Sequence, residues 1–81
     1  MERKDVGKIY LLINTEIGKE RSVRDSLRKI GNVKSADMIT GRYDIIAVIE
    51  GGTVEDVFTT VISKIRSING IVRTETNLVL E

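Results

Sequence analysis

The sequence predicts one α+β domain whose elements follow the order β-α-β-β-α-β. Three observations support this prediction. A continuous apolar run at residues 9–13 and a strongly apolar segment at residues 44–50 are rich in strand-forming residues and too short for helices. Two other segments repeat apolar residues at helical spacing. The length of 81 residues leaves room for a single domain, residues 1–81.

The N-terminal third predicts a tail, a strand and a helix. Residues 1–7 are mostly charged and are expected to form a flexible or extended tail. Residues 9–13 (IYLLI) form the first strand. A helix is expected at residues 19–30, because Val23, Leu27 and Ile30 recur at intervals of four and three residues. Gly31 is expected to end this helix.

The middle of the chain predicts two strands joined by a turn. Residues 33–40 form a weaker, partly alternating strand, and residues 44–50 (DIIAVIE) form a strongly apolar one. Gly41-Arg42-Tyr43 lies between them and indicates a short hairpin.

The second helix has the clearest pattern in the chain. Thr53-Val54-Glu55-Asp56 is typical of a capping box, and Asn69-Gly70 closes the segment. This spacing places Phe58 in the core. The apolar residues at helical spacing are Val54, Val57, Phe58, Val61, Ile62, Ile65 and Ile68.

The last strand is expected at residues 71–80 and completes the fold. Five of its residues are predicted to share one face: Val72, Thr74, Thr76, Leu78 and Leu80. With right-handed crossovers, the element order gives a ferredoxin-like sandwich. It has a four-stranded antiparallel sheet with both helices on one face.

The two central strands are apolar on both faces, although the chain has only enough helix to cover one. Ile9, Leu11 and Ile13 share one face of the first strand and alternate with the residues of the other. An exposed apolar face of this size would be adhesive. We therefore expect a second copy to cover it, sheet against sheet, in a homodimer or larger oligomer. The predicted interface residues are Tyr10, Leu12, Ile46 and Val48.

Composition excludes several classes of function. The chain has no Cys and no His, which rules out thiol catalysis, Ser-His mechanisms and zinc-finger chemistry. The net charge of +1 is too small for strong non-specific binding to nucleic acid or membrane. Neither a signal peptide nor a membrane span is visible, so a cytoplasmic protein is expected. Only one of the three aromatic residues lies within a strand, which argues against RNA binding on the sheet.

The stretch from Thr40 to Asp44 is the most site-like part of the sequence. Gly41 allows a close backbone approach, Tyr43 offers a ring and a hydroxyl, and Asp44 could hold an ammonium group. Thr74 and Thr76 add hydroxyl groups on the last strand. Together these groups suit a zwitterionic ligand, while an ordinary hairpin is the alternative interpretation.

An enzyme active site is harder to assemble from these residues. The candidate acids and bases are Asp37, Asp44, Glu50 and Glu75, and no pair has a spacing that indicates acid–base catalysis. Phosphate-binding glycine motifs are absent. We therefore expect no catalytic residues, no metal and no cofactor.

Three segments resemble the effector-binding (RAM) domain of the Lrp/AsnC transcription regulators. The opening strand Ile9-Tyr10-Leu11-Leu12-Ile13-Asn14 leads into Glu16-Ile17-Gly18-Lys19-Glu20. Thr40-Gly41-Arg42-Tyr43-Asp44 precedes an apolar strand. The third segment is Ile68-Asn69-Gly70-Ile71-Val72-Arg73-Thr74-Glu75-Thr76, which leads into Leu78-Val79-Leu80.

The resemblance implies a non-enzymatic module that binds an amino acid and regulates transcription of amino acid metabolism. Family members have the ferredoxin-like fold, pair sheet to sheet, and often assemble into octamers. Effectors bind where dimers meet, near a Gly-x-Tyr-Asp motif that falls here on Gly41, Tyr43 and Asp44. A Thr-x-Thr motif of the last strand falls on Thr74 and Thr76.

One departure from the family is large. Full-length regulators carry a DNA-binding helix-turn-helix ahead of this domain, and the few residues before the first strand cannot form one. The resemblance therefore implies a stand-alone domain that does not bind DNA itself. It could sense an amino acid, or join full-length Lrp/AsnC regulators as partners and change their assembly; a piece cut from a longer protein is the alternative to a stand-alone domain. Two alternatives stay open: an assembly module without a ligand, and a small dimeric α+β-barrel enzyme.

Overall fold

The secondary structure confirms the predicted order of elements. The computed structural model describes residues 7–80. In chain order the elements are β1 (Gly7–Thr15), α1 (Glu20–Arg28), β2 (Val33–Met38), β3 (Ile45–Gly51), α2 (Val54–Thr60), a π-helical continuation of α2 (Val61–Ile65) and β4 (Ile71–Leu78). The strands form one antiparallel sheet in the order β2-β3-β1-β4, as expected for the ferredoxin-like fold.

The ends of α1 and β1 differ from the prediction. The helix stops at Arg28, because the amides of Lys29 and Ile30 donate to the carbonyls of Ser26 and Leu27 and tighten the last turn. The prediction that Gly31 ends the helix is therefore wrong. Strand β1 already begins at Gly7, and the rest of the predicted tail, residues 1–6, lies outside the described residues.

The helices cover one face of the sheet and bury the core there. The fully buried strand residues Ile9, Leu11, Ile13, Ile45, Ala47 and Ile49 pack against Val23, Leu27, Val57, Val61 and Ile65 of the helices. The residues that alternate with them point to the other side, which we call the open face. Its centre consists of Tyr10, Leu12, Ile46 and Val48, all partly exposed.

Helix α2 begins as predicted and then widens. The Thr53 hydroxyl accepts a hydrogen bond of 3.0 Å from the Asp56 amide, which confirms the cap. Further along, the Arg66 amide donates to the Val61 carbonyl, five residues back. An α-helix has 3.6 residues per turn, so side chains spaced four residues apart do not stay on one face but move gradually around the helix. The wider turn offsets this drift and keeps Val61 and Ile65 on the sheet.

The predicted place of Phe58 in the core is wrong. Its side chain is 36% exposed, and Ile62 is 63% exposed. The sheet covers a narrower strip of the helix than the apolar stripe in the sequence. The core instead takes Thr60, whose hydroxyl is satisfied by donation to the Asp56 carbonyl at 3.0 Å.

A β-bulge divides strand β4. Asn14 pairs with Arg73 while Thr15 pairs with Ile71, so Val72 is the extra residue. Ile71 packs against the core and Val72 is 64% exposed. The prediction that Val72 shares a face with Thr74, Thr76 and Leu78 is therefore wrong. Leu80 lies beyond the end of the strand and is exposed.

Glycine is required where α2 approaches the sheet. Gly7 pairs with Gly51 across β1 and β3, directly below the start of the helix. A Cβ atom on Gly7 would lie 2.7 Å from the Thr53 carbonyl carbon and 2.8 Å from the Val54 Cα. Only a residue without a side chain fits under this backbone.

Candidate ligand-binding site

The connection between β2 and β3, residues 39–44, forms a tight loop that we call the 39–44 loop. The Ile39 amide donates to the Asp44 carbonyl at 2.9 Å and closes it. Gly41 has a φ of +106°, a conformation that glycine adopts without strain. A side chain at this position would be strained, so the glycine fixes the shape of the loop.

The end of β1 holds the loop through three hydrogen bonds. The Asp44 amide donates to the Ile13 carbonyl at 2.9 Å, and the Thr15 amide donates to Asp44 Oδ2 at 2.8 Å. The side-chain amide of Asn14 donates to the Arg42 carbonyl at 2.9 Å. These bonds fix the Asp44 carboxylate and leave its Oδ1 without a hydrogen bond to any residue in the range 7–80.

Tyr43 connects the loop to the edge strand on the open face. Its hydroxyl donates to Glu75 Oε1 at 2.5 Å, and the Asn77 amide donates to Glu75 Oε2 at 3.3 Å. The hydrogen bond to Glu75 raises the pKa of Tyr43, and partial loss of hydration and the nearby negative charge act in the same direction. The hydrogen bonds from Tyr43 and Asn77 lower the pKa of Glu75.

Thr74 and Thr76 lie on the other side of the sheet from this contact. They pair with Ile13 and Leu11, whose side chains face the helices, whereas Glu75 pairs with Leu12 on the open face. Both threonines are partly exposed at the edge strand. Within one protomer, the structure brings together Gly41, Tyr43 and Asp44 but does not bring the two threonines to them.

Sequence reasoning missed the contribution of Asn14 and Thr15. The sequence pattern marks both residues only as the end of the first strand. No local feature of the sequence indicates that they form hydrogen bonds with the 39–44 loop. Asn14 Oδ1 and Thr15 Oγ1 are buried and have no hydrogen-bond partner in the described part of the chain. Unsatisfied buried oxygens are uncommon, and here they lie at the base of the candidate site.

Substituting Tyr43 tests the link between the loop and β4. In Tyr43→Phe the pKa of Glu75 should rise toward its ordinary value of 4.5, because the largest cause of its lowering is removed. A carboxyl 13C NMR titration would measure this change, with Tyr10→Phe as the matched control. An unchanged Glu75 titration would show that the hydrogen bond does not persist in solution.

The same pair predicts a stability window. A lowered Glu75 pKa stabilises the fold above the unfolded-state pKa, and this contribution is lost as the pH falls through the folded value. A raised Tyr43 pKa stabilises the fold below its ordinary value of 10.0 and is lost as the pH rises through the folded value. Tyr43→Phe should therefore flatten both limbs of the pH–stability profile.

Within residues 7–80, no three His, Cys, Asp or Glu side chains form a group that could hold a metal ion. In the same range, no helix has the length and apolar character needed to cross a membrane. The fold and the loop thus define a class: a ferredoxin-like α+β domain with a candidate small-molecule site at a strand connection.

The family match identifies the class further. Residues 8–81 match the family described as the Lrp/AsnC ligand binding domain, and the chain belongs to that family. Transcription regulators that carry this domain are generally non-enzymatic. The chain is therefore a regulatory ligand-binding module. Among curated proteins no match is found.

Solved structures agree with this assignment. The hypothetical protein PHS023 from Pyrococcus horikoshii is 33% identical, with a TM-score of 0.86 over 94% of this chain and 90% of that one. AsnC of E. coli is 28% identical with a TM-score of 0.83, over 98% of this chain and 53% of AsnC. The regulator NMB0573 from Neisseria meningitidis, solved with L-Met, shares the fold at 18% identity and a TM-score of 0.81, over 93% of this chain and 50% of that one.

Proposed function

We propose that this module senses an amino acid, which binds at the 39–44 loop, and that it assembles through its open face. The observation that carries the proposal is the Asp44 carboxylate. One of its oxygens is held by the Thr15 amide at 2.8 Å, while the other has no hydrogen bond within residues 7–80. A fixed carboxylate with a vacant oxygen is suited to bind an ammonium group.

Other groups suit the remaining part of an amino acid. The open backbone at Gly41 allows a ligand to approach closely, and a Cβ there would meet no atom within 4 Å. Thr74 and Thr76 would donate hydroxyl hydrogen bonds to the ligand carboxylate. Because they lie across the sheet from the Tyr43–Glu75 contact, we propose that another copy supplies them and that the site is completed between copies.

The open face supports assembly. Its four apolar residues remain partly exposed in the single chain, and Tyr10 is 38% exposed. Packing two such faces together would give a homodimer with a closed apolar centre. Further assembly to an octamer, and mixed assembly with full-length Lrp/AsnC regulators in the cytoplasm, belong to the same proposal. In it, the chain acts by binding and association, without catalysis, cofactor, or direct contact to nucleic acid.

The chemistry of the ligand has support from a related fold. The Neisseria meningitidis regulator is seen with L-Met, so a protein of this architecture accommodates a free amino acid. At 18% identity this likeness is one of fold.

A thermal-shift screen with the twenty amino acids at millimolar concentration tests the proposal. A ligand at a hundred times its Kd stabilises by about 2.7 kcal/mol. In a domain of this size that moves the Tm by roughly 10–20 °C. Asp44→Asn should abolish the shift, because it keeps an oxygen for the Thr15 amide and removes the charge that recognises ammonium.

Asp37→Asn is the matched control for this experiment. Asp37 is an exposed strand carboxylate that pairs with Arg28 at 3.4 Å and, within residues 7–80, forms no side-chain hydrogen bond with the 39–44 loop. A shift that Asp44→Asn retains, or that Asp37→Asn also loses, would refute the assigned site.

An assembly module without a ligand is the second candidate. It is favoured by the Tyr43 hydroxyl, which already has an internal partner in Glu75. No shift with any amino acid, together with an intact oligomer, would favour this function over sensing.

A further inference from the structure

The two outer strands of the sheet, β2 and β4, differ in how their edges are covered. The middle of the β2 edge is covered by helix α1. Arg28 Nε donates to the Ala36 carbonyl at 2.9 Å, and the same guanidinium lies 3.4 Å from Asp37 Oδ1. This side chain occupies the place where another strand would have to pair with β2.

The outer edge of β4 is unpaired. The Val79 amide donates to the Lys8 carbonyl at 2.9 Å, so the backbone groups of Val79 point toward β1. Because these groups alternate in direction along a strand, those of Thr74, Thr76 and Leu78 point away from the sheet. Within residues 7–80, no hydrogen bond joins these outward groups to another residue. The edge of β4 therefore presents a row of free donors and acceptors.

The charges of β4 match a second, antiparallel copy of the same strand. When a two-fold axis passes between two Thr74 residues, Arg73 of each copy lies directly opposite Glu75 of the other. The facing threonines then exchange both of their outward backbone hydrogen bonds. A pairing centred on Glu75 would instead place two like charges opposite each other, which is destabilising.

The groups needed for these contacts are available. Arg73 is exposed and forms no ion pair with a residue in the range 7–80. Glu75 accepts one hydrogen bond at each carboxylate oxygen, from Tyr43 and Asn77, and each oxygen can accept another.

We infer that the outer edge of β4 binds β4 of a second copy of this chain, antiparallel and centred on Thr74. The contact joins two sheets edge to edge and is separate from the open face, and it does not rest on amino acid binding. A single strand edge buries less than the roughly 1,000 Å² of a stable interface. Single chains should therefore pair only transiently. Copies already joined through the open face should pair more firmly, because more than one edge then acts at once.

Disulfide trapping tests the inference, because the chain has no cysteine of its own. Thr74→Cys should give a disulfide-linked dimer under mild oxidation. The Cα atoms of facing residues in a hydrogen-bonded pair lie about 5.5 Å apart, within the span of a disulfide. The Thr74 side chain lies on the helical side of the sheet, so contact between open faces does not bring two of these positions together. Non-reducing electrophoresis of the oxidised full chain would measure the yield.

Thr76→Cys is the matched control. Thr76 is also a partly exposed threonine of β4 on the helical side of the sheet. In the inferred pairing, the two copies of this residue lie about 13 Å apart along the strands, beyond the reach of a disulfide. Equal trapping of both variants would overturn the inference. So would the absence of trapping in Thr74→Cys while circular dichroism shows a folded protein.

Charge reversal tests the register independently. In the Thr74→Cys background, Arg73→Glu and Glu75→Arg each place like charges opposite each other, and each should slow trapping at least about threefold. In an equal mixture of the two variants, opposite charges face each other again. Mass spectrometry should then find more mixed disulfide than random pairing gives. A mixed disulfide at or below the random share would overturn the pairing of Arg73 with Glu75.

Discussion

Leu12→Lys should prevent the proposed dimer from forming and leave the protein monomeric. Leu12 lies at the centre of the open face, between Ile46 of β3 and Glu75 of β4. In the proposed dimer, the introduced ammonium would be buried against an apolar surface. A charge that is buried without a partner destabilises a structure by about 3–5 kcal/mol. The two-fold symmetry of the dimer would bury this charge twice. The dimer Kd should rise at least a hundredfold, by about 3 kcal/mol or more.

The fold of the single chain should survive this change. Leu12 is partly exposed, so the longer side chain can reach solvent in the single chain. Size-exclusion chromatography with light scattering would measure the mass, and far-UV circular dichroism would verify the fold.

Ile62→Lys is the matched control for assembly. Ile62 is an apolar residue that is 63% exposed on the helical side, so its substitution should leave the oligomer intact. If Leu12→Lys stays oligomeric, or if both variants dissociate alike, association through the open face is refuted.

Gly7→Ala should give the largest loss of stability of any methyl addition to the described glycines. The new Cβ would overlap the backbone of Thr53 and Val54, and no side-chain rotation relieves a clash with backbone. Helix α2 must then lift from the sheet, which loosens the packing of Val57. We expect a loss of about 3 kcal/mol, at the upper end for overpacking, or roughly 10–25 °C in Tm.

Gly31→Ala provides the control. A Cβ at Gly31 would meet nothing within 4 Å, and its φ is not positive. The free energy of unfolding should stay the same or increase by up to about 1 kcal/mol. Urea titration of both variants would measure the difference. A Gly7→Ala protein as stable as the unmodified one would disprove the close approach of α2 to β1.

Sequence patterns predicted the parts of the fold that repeat regularly. Alternating apolar residues in β1 and β3 identified the buried and open faces, and Thr53 identified the start of α2. The π turn and the bulge at Val72 were not predictable in this way. Each shifts the chain by one residue, and neither carries a distinctive residue type. Both are decided by packing against the sheet, as is the exposure of Phe58.

The candidate site was predictable only in part. Gly41 and Asp44 stood out because turn residues next to an apolar strand are recognisable. The hydrogen bonds from Asn14 and Thr15 join residues 28 and 29 positions apart, and the contact of Tyr43 with Glu75 joins residues 32 positions apart. Such contacts depend on strand register, which the residues themselves do not reveal.

The order of the strands also sets the order in which the sheet can form. Within residues 7–80, the hairpin of β2 and β3 is the only pairing between strands that follow one another in the chain, while β1 pairs with β3 and β4. Ribosomes make β1 early, yet its second neighbour is the last of these strands to be synthesised. During translation, the edge of the apolar run at residues 9–13 that pairs with β4 therefore stays unpaired until β4 has been synthesised. Chaperone binding and misassociation of nascent chains are most relevant at this strand.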